Sequence, residues 1–248
     1  MNALPAFTPQ HLAALTETEA RELLDLTLAY QRLTEREKLY SYYPDEGPLR
    51  RDLYPRHTEF FAHGAVHKER LLLGGNRAGK SFAGSYEVAC HLIGWYPHWW
   101  VGKRFTTPTH WIVAGDTART TRDIIQEKLL GPPGNAELQG TGMIPQASIA
   151  RTIAKAGVPD AVENAHVKHS SGGMSLVQFR SYDQGRQIFQ GTSQHGIWID
   201  EECSQEIYIE ALMRTMTTQG ICIATMTPLQ GLTPLVLSFL PDWSPTAT

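Results

Sequence analysis

The chain has 248 residues, 42% of them apolar, and a formal net charge of -3. That is enough apolar material for a sizeable core, as one large domain with or without a small appendage. The near balance of charge excludes the global basic field that drives non-specific nucleic-acid binding, so such a partner would need a local patch or a ring of subunits.

Cys90, Cys203 and Cys222 are far apart and form no CxxC pair, which argues against disulfides or a zinc site and for a reducing compartment. The N-terminus "MNALPAFTPQHL" lacks the basic start and apolar run of a signal peptide. No stretch is long enough to span a bilayer, and the expectation is a soluble intracellular protein.

In chain order, residues 9–40 read as helix. Thr16 and Glu19 form a capping box, and Leu23, Leu24, Leu28 and Leu33 have spacings compatible with one apolar face, with Glu22, Asp25 and Arg32 between them. The segment "YYPDEGPLRRDLYP" breaks that pattern and marks the boundary between a helical appendage, 1–53, and a main domain, 54–240. Beyond it, "RLLLGG", "HWIVAGD", "SLVQFRSY", "GIWIDEE" and "GICIATMTP" are short apolar runs bounded by Gly, Asp, Ser or Pro. They predict strands of a mainly parallel sheet flanked by helices, hence an α/β fold. "HVKHSSGGMSLVQF" predicts a hairpin turning at Ser171 to Gly173, and the stretch 131–159 before it reads as surface loop with short helices. The tail 241–248 has linker composition.

The chemistry centres on "LLLGGNRAGKSFAG". From Gly74 through Gly75, Asn76, Arg77 and Ala78 to Gly79, Lys80 and Ser81 it fits G-x-x-x-x-G-K-[ST], after an apolar strand and before a helix. Glycines let backbone N–H groups curl around phosphate oxygens, Lys80 supplies a point charge to the β- and γ-phosphates, and Ser81 offers a hydroxyl to Mg²⁺. The strand "GIWID" ends in Asp200 and Glu201, the first placed to hold Mg²⁺ and the second to polarise an attacking water. Together these residues predict an ATP-hydrolysing site. Thr225 and Thr227, at the end of another strand, are either sensors of the γ-phosphate or parts of a plain strand-to-loop turn.

"LYPRHTEFF", "GGNRAGKS", "WIVAGDTARTTRDI", "FRSYDQGRQIFQG" leading into "IWIDEE", and "ATMTP" together resemble the ATPase domain of the large terminase subunit of tailed bacteriophages. The resemblance covers most of 54–227. It implies a P-loop fold of the additional-strand catalytic-glutamate type and ATP hydrolysis with Mg²⁺ to move double-stranded DNA. It also implies a ring of five subunits on the portal protein, a small terminase subunit as partner, and the host cytoplasm as location. By carry-over, Lys80 and Ser81 bind phosphate and metal, Asp200 is the magnesium acid, Glu201 the catalytic base, and Thr225 to Thr227 the coupling motif. Where the family commonly has an adenine-reading glutamine, this chain departs from the pattern with Arg56 and His57 at the comparable place; His57 is a nucleotide-binding candidate, and the departure takes away the adenine selectivity the resemblance would imply. Family members continue into a nuclease domain, whereas this chain ends at Thr248 soon after the coupling motif, and no nuclease activity is expected of it.

Three arginines compete to stabilise charge on the γ-phosphate: Arg77 inside the loop, and Arg119 or Arg122 at the start of the helix after "WIVAGD". The aromatic run "GWYPHWW" reads as packing rather than base stacking. His91, His166, His169 and His195 are assigned no metal. Two other readings share parts of the pattern. A helicase-like translocase would need a second motor domain, and a non-hydrolysing assembly module would not need Lys80 with Glu201.

Overall fold

The structure, a computed structural model, describes residues 15–229 and 231–240, apart from the side chains at 32, 33 and 188. The expected helix start at residue 9, the side chains of Arg32 and Leu33, and the tail 241–248 lie outside the described residues.

Helix α1, Glu17–Arg36, starts at the capping box: the Glu19 N–H reaches the Thr16 hydroxyl at 3.4 Å and the Thr16 N–H reaches the Glu19 carboxylate at 2.9 Å. Its apolar stripe does not face the core, since Leu24 is 57% and Leu28 41% exposed. The spacing of the stripe is amphipathic, but among the described residues nothing covers it. The next short helix, α2 (Lys38–Ser41), behaves differently. Leu39 and, just after it, Tyr43 are buried in the main core with Phe61 and Tyr86.

Seven strands form one sheet: β1 (Glu69–Leu73), β2 (His110–Gly115), β3 (Ile149–Ala154), β4 (Val162–Lys168), β5 (Met174–Ser181), β6 (Gly196–Asp200) and β7 (Ile221–Met226). Their order is β1-β7-β6-β2-β5-β4-β3. β1, β7, β6, β2 and β5 run parallel, and β4 and β3 extend the sheet antiparallel. The five apolar runs are the five parallel strands. β6 and β7 are buried at every position, as expected of strands covered on both faces.

The hairpin turns where Ser-Gly-Gly predicts it, with His169 N–H on the Gly173 carbonyl at 2.9 Å and Gly172 at φ 94°. β3 is a correction, because the stretch 131–159 holds a strand as well as short helical turns. Its pairing with β4 carries register shifts and its burial does not alternate cleanly, so the period-2 signal is weak.

Two cores flank the sheet. One face carries α3 (Pro55–His63) and α4 (Lys80–Ile93), with Trp100 stacked on Phe61 at 5.1 Å between ring centroids. Strand alternation sends Trp198 to that face and Ile197 and Ile199 to the other, where α7 (Gln205–Thr215) packs. Between β2 and β3 the chain forms α5 (Ala118–Thr120), a π-helical stretch Thr121–Gln126 and α6 (Glu127–Leu130). After β7 comes α8, Pro234–Ser238. Among the described residues no helix is long and apolar enough to cross a membrane.

Candidate active site

β1 delivers the chain into the glycine-rich loop at the carboxyl edge of the sheet, where ligands of open α/β sheets bind. The Gly74 N–H is tied to the Met226 carbonyl at 3.2 Å, which fixes the loop's start to the end of β7. Left-handed backbone at Arg77 (φ 63°) and Gly79 (φ 76°) curls the loop into α4. Gly75, Asn76, Arg77 and Ala78 form its exposed rim. Lys80, the first residue of α4, is 6% exposed and its Nζ donates to the Gly75 carbonyl at 2.9 Å. Its ammonium is thereby folded over the mouth of the loop, at the positive end of the helix.

Asp200 closes β6 opposite the loop and is 4% exposed. Its Oδ1 accepts the Thr225 hydroxyl at 2.6 Å, and the Thr225 oxygen accepts the Trp198 indole N–H at 2.8 Å. Thr225 and Asp200 are register partners, so the pairing of β6 with β7 makes this contact. Burial pushes the Asp200 carboxyl above its ordinary range and the Glu201 charge adds to this, while hydrogen bonds from Thr225 and Ser81 pull the other way. The Ser81 hydroxyl, next to Lys80 at the start of α4, and the Asp200 carboxylate are hard oxygen donors, the ligand type Mg²⁺ takes in nucleotide sites.

Glu201 follows in left-handed backbone, φ 65°, a conformation that strains a non-glycine residue. Its carboxylate accepts the Thr227 N–H at 2.9 Å and lies 3.3 Å from the Thr227 hydroxyl. That hydroxyl is also 3.2 Å from Asn76 Oδ1, and its single proton serves one of the two at a time. Thr227, just past the end of β7, therefore contacts both Glu201 and the loop. The two threonines have separate tasks here, Thr225 holding Asp200 and Thr227 holding Glu201. Glu202, by contrast, faces Thr233, and Ser204 caps α7.

A cleft of about 380 Å³ opens beside these acids, lined among others by Asp116, Thr120, Ile124, Glu201 and Thr227. Two larger clefts, each about 480 Å³, flank α3 and hold neither Lys80 nor the two acids.

Tyr182 carries no role in the sequence reading. Its buried hydroxyl sits 2.9 Å from the Ala114 carbonyl and 3.0 Å from that of Asp200, clamping the ends of β2 and β6 together. The only signal for it was its place in "FRSYDQG", at the end of a strand.

The arginines differ. Arg77 and Arg119 are exposed, whereas Arg122 is engaged within its own chain, with Asp123 at 2.6 Å and the Pro159 carbonyl at 2.9 Å. His57 is 6% exposed, with one ring nitrogen 2.9 Å from the Tyr43 hydroxyl and the other 3.1 Å from the Ala78 carbonyl. Both ring nitrogens are thus engaged within the chain.

Sheet order and side chains together define an α/β domain whose polar groups gather between a glycine-rich turn and a strand-end acid pair. The chain belongs to the family described as terminase large subunit, T4likevirus-type, N-terminal, which matches residues 71–248. It is 34% identical over 243 residues to the large terminase subunit of Salmonella phage P22; the match takes in 91% of this chain and 47% of that one. The chain thus spans about half the length of this curated relative. The large terminase of a thermophilic bacteriophage is similar in fold, with a TM-score of 0.51 at 13% identity over 84% of this chain and 43% of that one. A large terminase ATPase-domain mutant of Thermus phage P74-26 gives a TM-score of 0.46 at 16% identity, over 74% and 68% of the two chains.

Proposed function

We propose that this chain is the ATPase motor domain of a phage terminase large subunit, hydrolysing ATP to drive double-stranded DNA into a prohead. The observation that carries the reading is the joining of the glycine loop to the strand-end acids at one sheet edge: Gly74 is tied to the end of β7, and the Thr227 hydroxyl lies between Asn76 of the loop and Glu201, next to Asp200. β7 lies between β1 and β6, which supports the additional-strand catalytic-glutamate type of P-loop fold.

In this reading Lys80 leaves the Gly75 carbonyl to neutralise phosphate charge, and the loop's N–H groups bind phosphate oxygens. Ser81 and Asp200 are the residues that would hold Mg²⁺, which when bound screens the phosphate charge. Glu201 releases Thr227 and accepts a hydrogen bond from the attacking water, orienting it in line. The partners that go with family membership are double-stranded DNA, the small terminase subunit and the portal protein, in a homo-oligomeric ring of five in the host cytoplasm. The ATPase domain spans 54–240, and Leu39 and Tyr43 of the preceding segment complete its core.

The test is steady-state ATP hydrolysis with and without duplex DNA. Lys80→Ala and Glu201→Gln each lower turnover by at least about 100-fold, and undiminished turnover in Glu201→Gln removes the base assignment. For the finger, mixing Lys80→Ala chains with Arg119→Ala chains partly restores hydrolysis if Arg119 acts on the neighbouring site. The same mixture made with Arg122→Ala is not rescued, given the contacts of Arg122 with Asp123 and Pro159. Arg77→Ala, which alters the loop itself, is tested alone.

A further inference from the structure

A phosphate loop works only if its N–H groups face inward, so its carbonyls must be held outward by something. In a trans peptide the C=O and the following N–H point in opposite directions. A partner that anchors the Ala78 carbonyl therefore also aims the Gly79 N–H. That partner is His57, whose Nε2 lies 3.1 Å from Ala78 O. Among the described residues the Gly79 N–H finds no acceptor within the chain, which leaves it for a ligand oxygen.

The ring and the loop are in direct contact. A Cβ placed on Gly79 would come within 2.9 Å of His57 Cε1, and with φ at 76° only glycine fits there comfortably. Behind the ring the support is rigid. The Tyr43 hydroxyl meets Nδ1 at 2.9 Å, Tyr54 stacks on the imidazole at 5.5 Å between centroids, and Tyr43 itself is 2% exposed. Tyr43 packs edge-on against Phe61 and Tyr86, the latter on α4, so the support and the loop's own helix share an anchor.

The chemistry assigns the tautomer. Burial lowers the affinity of His57 for a second proton, with the Ala78 contact opposing. A neutral ring has one donor and one acceptor, and the partners dictate which is which. Nε2–H donates to the carbonyl, which has no proton to give, and Nδ1 accepts from the tyrosine O–H.

We propose that Tyr43 and His57 form a positioning device for the phosphate loop, holding the Ala78–Gly79 peptide so that its N–H meets a nucleotide phosphate. The device rests on the reading of the loop as a nucleotide site. It differs from base recognition, because its effect must be blind to the base.

The test uses the 248-residue chain and its His57→Phe, His57→Gln, Tyr43→Phe and Lys80→Ala variants. Affinities for fluorescent ADP and GDP analogues are measured alongside KM and kcat for ATP and GTP. His57→Phe keeps the ring shape without the donor and should weaken every nucleotide about tenfold, as KM more than as kcat. Glutamine offers an amide donor and a carbonyl acceptor, so His57→Gln should stay within about threefold of wild type. Tyr43→Phe should fall between the two.

Unchanged affinity in His57→Phe overturns the proposal, as does a loss confined to adenine nucleotides, which would make His57 a base reader. A loss in His57→Gln as large as in His57→Phe overturns it too, since packing alone would then explain the effect. If His57→Phe fails to fold by circular dichroism, Tyr43→Phe decides: wild-type affinity there overturns the device. Affinity lost in Lys80→Ala but kept in the His57 variants leaves the nucleotide site standing without it. No nucleotide binding by wild type removes both readings.

Discussion

Glu87 on α4 and Asp200 at the end of β6 are both almost sealed from solvent, and the protein treats them in opposite ways. Glu87 receives the Arg70 guanidinium at 2.5 and 3.1 Å and the His91 ring at 3.2 Å. Burial pushes its carboxyl up, but Arg70 and His91 outweigh burial and hold it below the ordinary range. Asp200 is pushed up by burial, and among the described residues it accepts the Thr225 hydroxyl and forms no salt bridge. In the interior the charge is completed by the fold. At the sheet edge no cation completes it, which fits the proposed role of Asp200 as a metal-holding acid.

The largest expected effect breaks the interior pair. Arg70→Ala leaves the buried Glu87 without its guanidinium, with only the His91 ring beside it, and should lower stability by about 3–5 kcal/mol in urea unfolding, with Arg70→Ala/Glu87→Gln recovering part of it. A loss under about 1 kcal/mol would mean the interior pair is no better completed than the edge.

Asp200→Asn sharpens the contrast by trading function against stability. Hydrolysis should fall by at least about 100-fold, while melting without nucleotide or metal moves upward at neutral pH. The sign follows from the raised folded carboxyl. Its stabilising contribution is complete below the unfolded pKa of about 3.9 and is lost as pH rises through the folded value, so the aspartate is the costlier side chain at pH 7. The gap between variant and wild type should therefore close as pH falls toward 4, and a variant that melts lower than wild type at pH 7 contradicts the account.

Thr225→Val has the smallest effect and tests the hydroxyl between the two side chains. It strands the Trp198 indole N–H and should cost about 1–3 kcal/mol. It also removes a hydrogen bond that draws the Asp200 carboxyl down, so the acid limb of the ATPase pH profile should move to higher pH.

What was legible in the sequence follows from how local each signal is. The parallel strands announced themselves as apolar runs because both faces are covered, and the loop because its curl needs glycine at fixed positions. The hairpin and the capping box were equally local. β3 was missed because an edge strand with register shifts carries no clean alternation, and the apolar stripe of α1 was readable in spacing but not in what covers it. In the candidate site, Lys80, Ser81, Asp200 and Glu201 stand out in the sequence by type and position. Tyr182, and the division of labour between Thr225 and Thr227, were not.

By itself, then, the sequence determined the α/β class, the glycine loop and the acid pair, because each depends on residues adjacent in the chain or repeating at a fixed period. Only the tertiary structure decided who holds whom. Pairing β6 with β7 gave Asp200 its threonine, and the fold of the N-terminal segment brought Tyr43 behind His57. The same folding engaged both ring nitrogens of that imidazole and set one of them on the loop, since contacts between residues far apart in sequence leave no local pattern to read.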